Sequence, residues 1–295
     1  MSVVRRTSQV ACGVLLIAGG AWVSAQQAPV LPYEPPRQFG ASITGAFEGW
    51  FDGADGTHNF LVGYFNRNLK RAQDVPIGPN NRIEPGGPDQ GQPTHFEPNR
   101  RTGVFIVQVP KSFTADQKLT WTLTVNGQTT QIPLRINRDY NVSPFTDVAV
   151  GNSPPVVKLG ANGPAIQGPV ALLSQAPVMS ASVGAPLTLA ASVDDDGKFA
   201  SGSMAPVKDG RSPVNLHWSK YRGPGTVTFE ADEPKLEVSK GGGVDEPFSG
   251  TGTTTAKFSE PGEYALMLLA TDFSGEGGNG EVCCWTNAYV KVTVK

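Results

Sequence analysis

The chain has 295 residues, of which 17% are charged, and its formal net charge is −2 at pH 7. This balance lacks the basic footprint of a nucleic-acid binder, so we expect no nucleic-acid partner. Frequent glycine (35) and proline (25) are typical of many turns between short strands, and the length allows two domains that each bury a core.

Residues 1–25 have the features of a signal peptide. Arg5 and Arg6 give a positive start, residues 11–23 are apolar but short for a membrane span, and small residues then form a cleavage site before Gln26. The alternative is an uncleaved N-terminal anchor. No later apolar run is long enough for a transmembrane segment in the mature chain. We therefore expect an exported protein that is periplasmic, cell-surface or extracellular.

The next part of the chain predicts a β-sandwich. Residues 26–39 form an extended, Pro- and Gln-rich leader, and residues 40–137 form an N-terminal domain in which short apolar or aromatic runs recur between turn signals. Asn126-Gly127 predicts a type I′ hairpin turn. Residues 78–101 are rich in Pro, Gly and Asn, and the pattern predicts a long ordered loop, which is uncommon enough to suggest a role.

The C-terminal part predicts a second sandwich. Residues 138–175 are interpreted as a linker with an edge strand, and residues 176–295 as the domain. Rows of apolar residues with a period of two indicate strands with one buried and one wet face; they are Leu187, Leu189, Ala191; Tyr264, Leu266, Leu268, Ala270; and Val290, Val292, Val294. Trp218 has the position of a strand C core tryptophan, and Tyr264 that of a tyrosine corner.

A family resemblance rests on four features: Trp218, the segment 223–229 (Gly-Pro-Gly-Thr-Val-Thr-Phe), the Pro-Gly-Glu-Tyr turn at 261–264, and Ala270-Thr271-Asp272. With them, residues 184–295 resemble the PKD-like, immunoglobulin-like modules of bacterial extracellular proteins. The resemblance implies an immunoglobulin-like sandwich and a spacer, adhesion or accessory role. Position 266 is Leu, so the usual inter-sheet disulfide is absent, and the insertion at 198–213 is a further departure.

Acidic residues suggest a Ca²⁺ site. Asp194 and Asp196 follow strand B, and Asp272 ends strand F near Glu276 and Glu281. The B–C and F–G loops emerge at the same end of such a sandwich, so these carboxylates would converge there. Hard oxygen ligands suit Ca²⁺. The alternative is a solvated turn in which Asp and Gly serve the backbone conformation.

Cys283 and Cys284 are the only cysteines after the signal peptide. Exported proteins meet oxidants, which favours a vicinal disulfide between the two. Neighbouring side chains of a regular strand point to opposite faces, so the alternative is one core and one surface cysteine, both reduced.

Aromatic residues in the N-terminal domain suggest a sugar-binding platform. Trp50 and Tyr64, with Asn66 as a hydrogen-bonding partner, are the candidate ligand-binding residues. The alternative is that these aromatics form the core. His58, His95 and His217 have no metal-ligand spacing, and no Gly-x-Ser-x-Gly nucleophile motif occurs, so we identify no catalytic residue.

The sequence thus predicts an all-β fold with two sandwiches in tandem. The leading hypothesis is an exported, non-enzymatic binding or structural module of the cell envelope or extracellular space, with a protein or glycan partner. The alternatives are a secreted hydrolase, acting on carbohydrate through the N-terminal domain, and a subunit of a surface assembly.

Overall fold

The computed structural model describes residues 34–147, 151–198, 212–241, 246–272 and 283–295. Within these ranges the regular structure consists of strands and two short 3-10 turns, so the all-β prediction is confirmed. The predicted signal peptide, most of the insertion at 198–213, and Glu276 and Glu281 lie outside the described residues. Residues Pro35–Lys295 form one compact unit. The domain boundaries at 137 and 176 stay a prediction.

The first sheet pair is formed by eight strands. They are β1 (Ile43–Asp52), β2 (His58–Asn66), β3 (Gln73–Asp74), β4 (Asn81–Glu84), β5 (His95–Phe96), β6 (Asn99–Val109), β7 (Leu119–Val125) and β8 (Gln128–Leu134). The order is β1-β2-β6 in one sheet and β4-β7-β8 in the other, with β3-β5 as a small ribbon. Phe60 and Trp121 are buried between the sheets. The hairpin prediction is confirmed, because Asn126 and Gly127 have φ of 51° and 78° between the paired β7 and β8.

The second sheet pair contains the remaining strands. They are β9 (Val156–Leu159), β10 (Ile166–Gln167), β11 (Val178–Ala181), β12 (Leu187–Asp195), β13 (Val214–Arg222), β14 (Val227–Phe229), β15 (Leu236–Lys240), β16 (Phe248–Phe258), β17 (Gly262–Asp272) and β18 (Trp285–Val294). One sheet has the order β10-β9-β12-β16-β14, with β15 also on β16, and the other has β11-β18-β17-β13. The 3-10 turns are Arg138–Tyr140 and Leu173–Gln175.

The expected immunoglobulin-like landmarks are present in the second sheet pair. Trp218 is fully buried in the core, among Leu266 and Leu268. The hydroxyl of Tyr264 donates to Glu260 O at 2.9 Å and accepts from Gly225 N at 3.1 Å. A hydroxyl that bonds back to the backbone just upstream is the hydrogen bond of a tyrosine corner. This side chain therefore joins the start of β17 to the turn after β13.

The second face of the β11-β18-β17-β13 sheet differs from the expectation. The period of two predicted a wet face opposite the apolar rows, but Trp285, Asn287 and Tyr289 of β18 are buried there. Met267 and Tyr221 on the same sheet belong to the core of the first sheet pair. The first sheet pair therefore covers this face, and the sheet is buried on both sides over most of its length.

Candidate functional site

Side chains of β18 form hydrogen bonds with the edge of β6 that has no neighbouring strand in the described part of the chain. Trp285 Nε1 and Asn287 Nδ2 donate to Gly103 O at 3.3 and 2.6 Å, and Asn287 Nδ2 also reaches Val104 O at 3.2 Å. The hydroxyl of Tyr289 donates to Val104 O at 2.6 Å. These three donors share one face because they alternate along the strand. Buried carbonyl groups that would otherwise lack partners are thus satisfied across the interface.

The loop between β4 and β5 docks onto β13. Arg222 forms a bidentate ion pair with Asp89, with both N–O distances at 2.8 Å. The hydroxyl of Tyr221 donates to Gly91 O at 2.5 Å, and Thr94 N donates to Tyr221 O at 3.2 Å. Planar, bidentate contacts of this kind fix orientation as well as adding energy. The segment 78–101 was predicted as one long loop, but it contains β4, β5 and the start of β6. The loop between β4 and β5 joins the two sheet pairs.

A second ionic contact involves His217 and Glu97. His217 Nε2 lies 3.4 Å from Glu97 Oε2, and Arg101 approaches the same oxygen at 3.0 Å. Burial alone would raise the pKa of Glu97, but the hydrogen bond from His217 and the charge of Arg101 outweigh it and lower that pKa. The hydrogen bond to Glu97 raises the pKa of His217. The imidazolium and the carboxylate therefore favour each other's charged form.

Lys220 provides a third ionic contact across the interface. Its Nζ lies 2.9 Å from Asp74 Oδ1 and also donates to Gly225 O at 3.0 Å. The lysine side chain is almost fully buried, whereas the aspartate is half-exposed. With Arg222 and His217, this gives three basic side chains on β13 that each face an acidic side chain of the first sheet pair. The interface is therefore complementary in charge.

The three aspartates of the predicted Ca²⁺ site have separate partners. Asp194 is exposed and accepts from Ser249 Oγ at 2.7 Å, on the side of β12 away from the core. Asp196 accepts from Ser153 N and Lys198 N. Side chains alternate along β12, so Asp194 points outwards and the neighbouring Asp195 points inwards.

The buried acidic group at this end is Asp195 with Asp272. Asp195 is 7% exposed, and Asp272 is 3% exposed with Asn152 Nδ2 donating to it at 2.7 Å. Burial raises the pKa of Asp195 to about 7, and the charge of Asp272 adds to the increase while the Gly197 N–H opposes it. Among the described residues no group of three or more His, Cys, Asp or Glu side chains is arranged to hold a metal ion. The Ca²⁺ site stays a prediction.

Cys283 and Cys284 lie directly before β18, and both are buried. Their sulfur atoms are bonded to each other in the structure. Cys284 Sγ also lies 3.5 Å from Asn152 O. A disulfide between the two cysteines in the protein as cells make it stays a prediction, which a mass measurement tests.

The candidate sugar-binding residues lie mainly inside the first sheet pair. Tyr64 is 3% exposed and its hydroxyl accepts from Glu97 N at 2.9 Å. Asn66 is fully buried, and its amide donates to Phe96 O at 3.0 Å. Trp50 is half-buried, and its Nε1 donates to Asn137 O at 2.7 Å. The structure does not bring these side chains together on a surface, and ligand binding by them stays a prediction.

A groove of about 540 Å³ lies between the two sheet pairs. One wall is the edge of β6 from Phe105 to Gln108, and the other is the segment 171–174. Tyr289, Lys291 and the Arg222–Asp89 ion pair complete its lining. The groove begins at Phe105, directly after Val104, the last residue of β6 whose carbonyl accepts from a β18 side chain. Sequence reasoning missed it, because its walls come from three distant parts of the chain.

Comparisons with known proteins identify no family. No protein-family model and no curated protein matches the chain. Among solved structures, domains 4 and 5 of the S-layer protein SbsC match with 11% identity over 65% of this chain and 70% of that chain, at a TM-score of 0.21. The PapD-like domain 7 of human CEP192 matches with 9% identity over 55% and 97%, at a TM-score of 0.24. With TM-scores this low, we take neither family nor function from these similarities.

No helix among the described residues has the length and apolar character that a membrane span needs.

Proposed function

We propose that this protein is an exported, non-enzymatic binding or structural module of the cell envelope or extracellular space. The observation that carries the proposal is the interface, in which β18 caps the backbone of β6 while three ion pairs join β13 to the first sheet pair. Hinge motion between domains needs a small or loosely packed interface. This interface instead holds the sheet pairs in one orientation, which suits a rigid scaffold that presents a surface.

The expected partner is a protein or a glycan of the envelope. The export part of the proposal rests on the signal-like residues 1–25, with Gln26 as the mature N-terminus. The PKD-like resemblance of residues 184–295 supports an adhesion, spacer or accessory role. A subunit of a larger surface assembly is compatible with the same scaffold.

The test combines localisation with binding. The full chain, tagged at its C-terminus, is produced in its native host cells. The exported fraction is then analysed by mass spectrometry for a chain that starts at Gln26. The purified mature chain is then sedimented with isolated cell envelopes, before and after protease treatment or glycan removal. Loss of binding after one treatment identifies the partner class. A cytoplasmic chain with its first 25 residues intact, or no sedimentation with envelopes, would contradict the proposal.

A further inference from the structure

The edge of β6 offers unpaired backbone groups to the groove. β6 is an edge strand of its sheet, paired only with β2 among the described strands. From Phe105 to Val109 the pairing register is regular, with Phe105 opposite Val62 and Val109 opposite His58. An edge strand of this kind is a template for a further strand unless something covers it.

The direction of the free groups follows from the turn between β1 and β2, where Gly53 N donates to Thr57 O at 2.8 Å. The N–H and C=O of one residue point to the same edge of an antiparallel strand, and the edge alternates from residue to residue. Asn59 and Leu61 therefore direct their backbone groups towards β1, along a part of β2 with regular register. Their partners Gln108 and Ile106 thus present their N–H and C=O groups away from β2.

A contact on the other side of β6 agrees with this assignment. Asn59 lies opposite Gln108, and their side chains are in contact, with 3.3 Å between Gln108 Nε2 and Asn59 Oδ1. Side chains come closest in the pairs that do not exchange backbone hydrogen bonds. Gln108 is thus in a non-hydrogen-bonded pair with β2, and its backbone groups are directed to the groove.

The charge of the groove selects among extended peptides. Lys291 Nζ donates to the carbonyl of Ser174 at 3.4 Å and has no acidic partner among the described residues. The other cation of the lining, Arg222, is already paired with Asp89. A carboxylate on an incoming strand would therefore meet one uncompensated positive charge, which favours acidic over basic segments.

We infer that the groove between β6 and residues 171–174 binds an extended, acidic peptide segment of a partner protein by adding it as a strand to β6. Ile106 and Gln108 supply the backbone hydrogen bonds, and Lys291 contacts a carboxylate of the peptide. The inference rests on the proposed binding function and names the partner chemistry. Main-chain pairing gives such recognition its affinity, while nearby side chains give it specificity.

The experiment screens a displayed library of short linear peptides against the purified mature chain and measures the enriched peptides by fluorescence anisotropy. The key variant is Gln108→Pro, because proline removes the N–H and is tolerated in edge strands where that group faces outwards. Gln108→Ala is the matched control, since it removes the same side chain but keeps the backbone donor. Circular dichroism and thermal melting check that both variants fold.

We expect enriched peptides to bind the parent chain and Gln108→Ala alike and to lose about tenfold or more in affinity for Gln108→Pro. Lys291→Gln should weaken acidic peptides and leave their amide counterparts unchanged. Hydrogen exchange should show new protection at Ile106 and Gln108 when peptide is bound. If Gln108→Pro does not fold, this protection in the parent chain decides the question.

Three results would each overturn the inference: no peptide is enriched, the enriched peptides bind without protecting β6, or they bind a folded Gln108→Pro with equal affinity. If the mature chain nevertheless sediments with envelopes, only the groove inference falls and the binding module stands. If neither peptides nor envelopes bind, the proposed function fails as well.

Discussion

Gly103→Ala, which adds a single methyl group, should destabilise the interface between the two sheet pairs. The N–H of Gly103 donates to Glu48 Oε2 at 2.6 Å, and its carbonyl accepts from Trp285 and Asn287. Its φ is 54°, in the left-handed region. A Cβ added to Gly103 would meet the Trp285 ring, with Cε2 only 2.7 Å away. Gly103→Ala therefore combines an unfavourable backbone conformation with a steric clash against a buried ring.

The magnitude follows from these two contributions. A left-handed conformation costs a residue with a Cβ about 1–2 kcal/mol. Overpacking of a buried site costs about 1–3 kcal/mol more, because the Trp285 ring is fixed by its own hydrogen bond and cannot simply turn away. We therefore expect Gly103→Ala to lower the free energy of unfolding by about 2–5 kcal/mol.

Gly127→Ala is the matched control. Gly127 also has a positive φ, 78°, but nothing lies within 4 Å of its added Cβ. Only the backbone contribution of about 1–2 kcal/mol applies there. The difference between the two variants therefore isolates the contact with Trp285.

Equilibrium urea unfolding, monitored by tryptophan fluorescence, gives the free energy of unfolding of both variants and of the parent chain. Gly103→Ala should also reduce the hydrogen-exchange protection of the amides of β6 more than that of the amides of β7, because Ile106 of β6 packs in the same hydrophobic cluster as Trp285 and the apolar residues of β7 belong to a different cluster. Equal losses in Gly103→Ala and Gly127→Ala would refute the close approach of β18 to β6 on which this reasoning depends.

Four further predictions concern other contacts. The raised pKa of His217 means that its contact with Glu97 stabilises the fold fully below the unfolded pKa of about 6.5 and is lost as pH rises through the folded value; His217→Gln should remove this dependence from urea midpoints measured across pH. Tyr264→Phe should cost about 1–3 kcal/mol in the same assay, because the buried Gly225 N–H and the partly buried Glu260 O lose their partner; an unchanged urea midpoint would contradict a stabilising role of the tyrosine corner. Intact mass should rise by two hydrogens on reduction if Cys283 and Cys284 are bonded. Millimolar Ca²⁺ should raise the melting temperature beyond a Mg²⁺ control, and no difference would remove the Ca²⁺ prediction.

Features that depend on local residue spacing could be predicted from the sequence. Trp218 and Tyr264 could be assigned because the turns around them and the alternation along their strands are local patterns, and both have the expected contacts. The Asn126-Gly127 turn was predictable because two consecutive residues with positive φ favour this pair of amino acids.

The interface could be predicted only in part. Trp285, Asn287 and Tyr289 alternate with the small or apolar residues of β18, and large residues on the supposedly wet face were a signal that both faces are buried. Their partners could not be found this way, because Asn287 and Gly103 are 184 positions apart. The ion pair between Arg222 and Asp89 spans 133 positions and depends on how the two sheet pairs pack. No periodicity in a single sequence encodes such pairs.

The interface and the groove depend on each other. Trp285, Asn287 and Tyr289 cap β6 only as far as Val104, and the next residue of the same row, Lys291, faces the groove instead. These hydrogen bonds hold β18 beside β6 as far as Val104. The edge of β6 from Phe105 to Gln108 lines the groove, because no further donor of this row on the described strand β18 reaches it. Neither sheet pair alone has both walls of this groove. A fragment that carried only one of them would lose the site and would expose the second face of β18 to water. The inferred strand addition therefore has to be tested on residues 26–295, with both sheet pairs present.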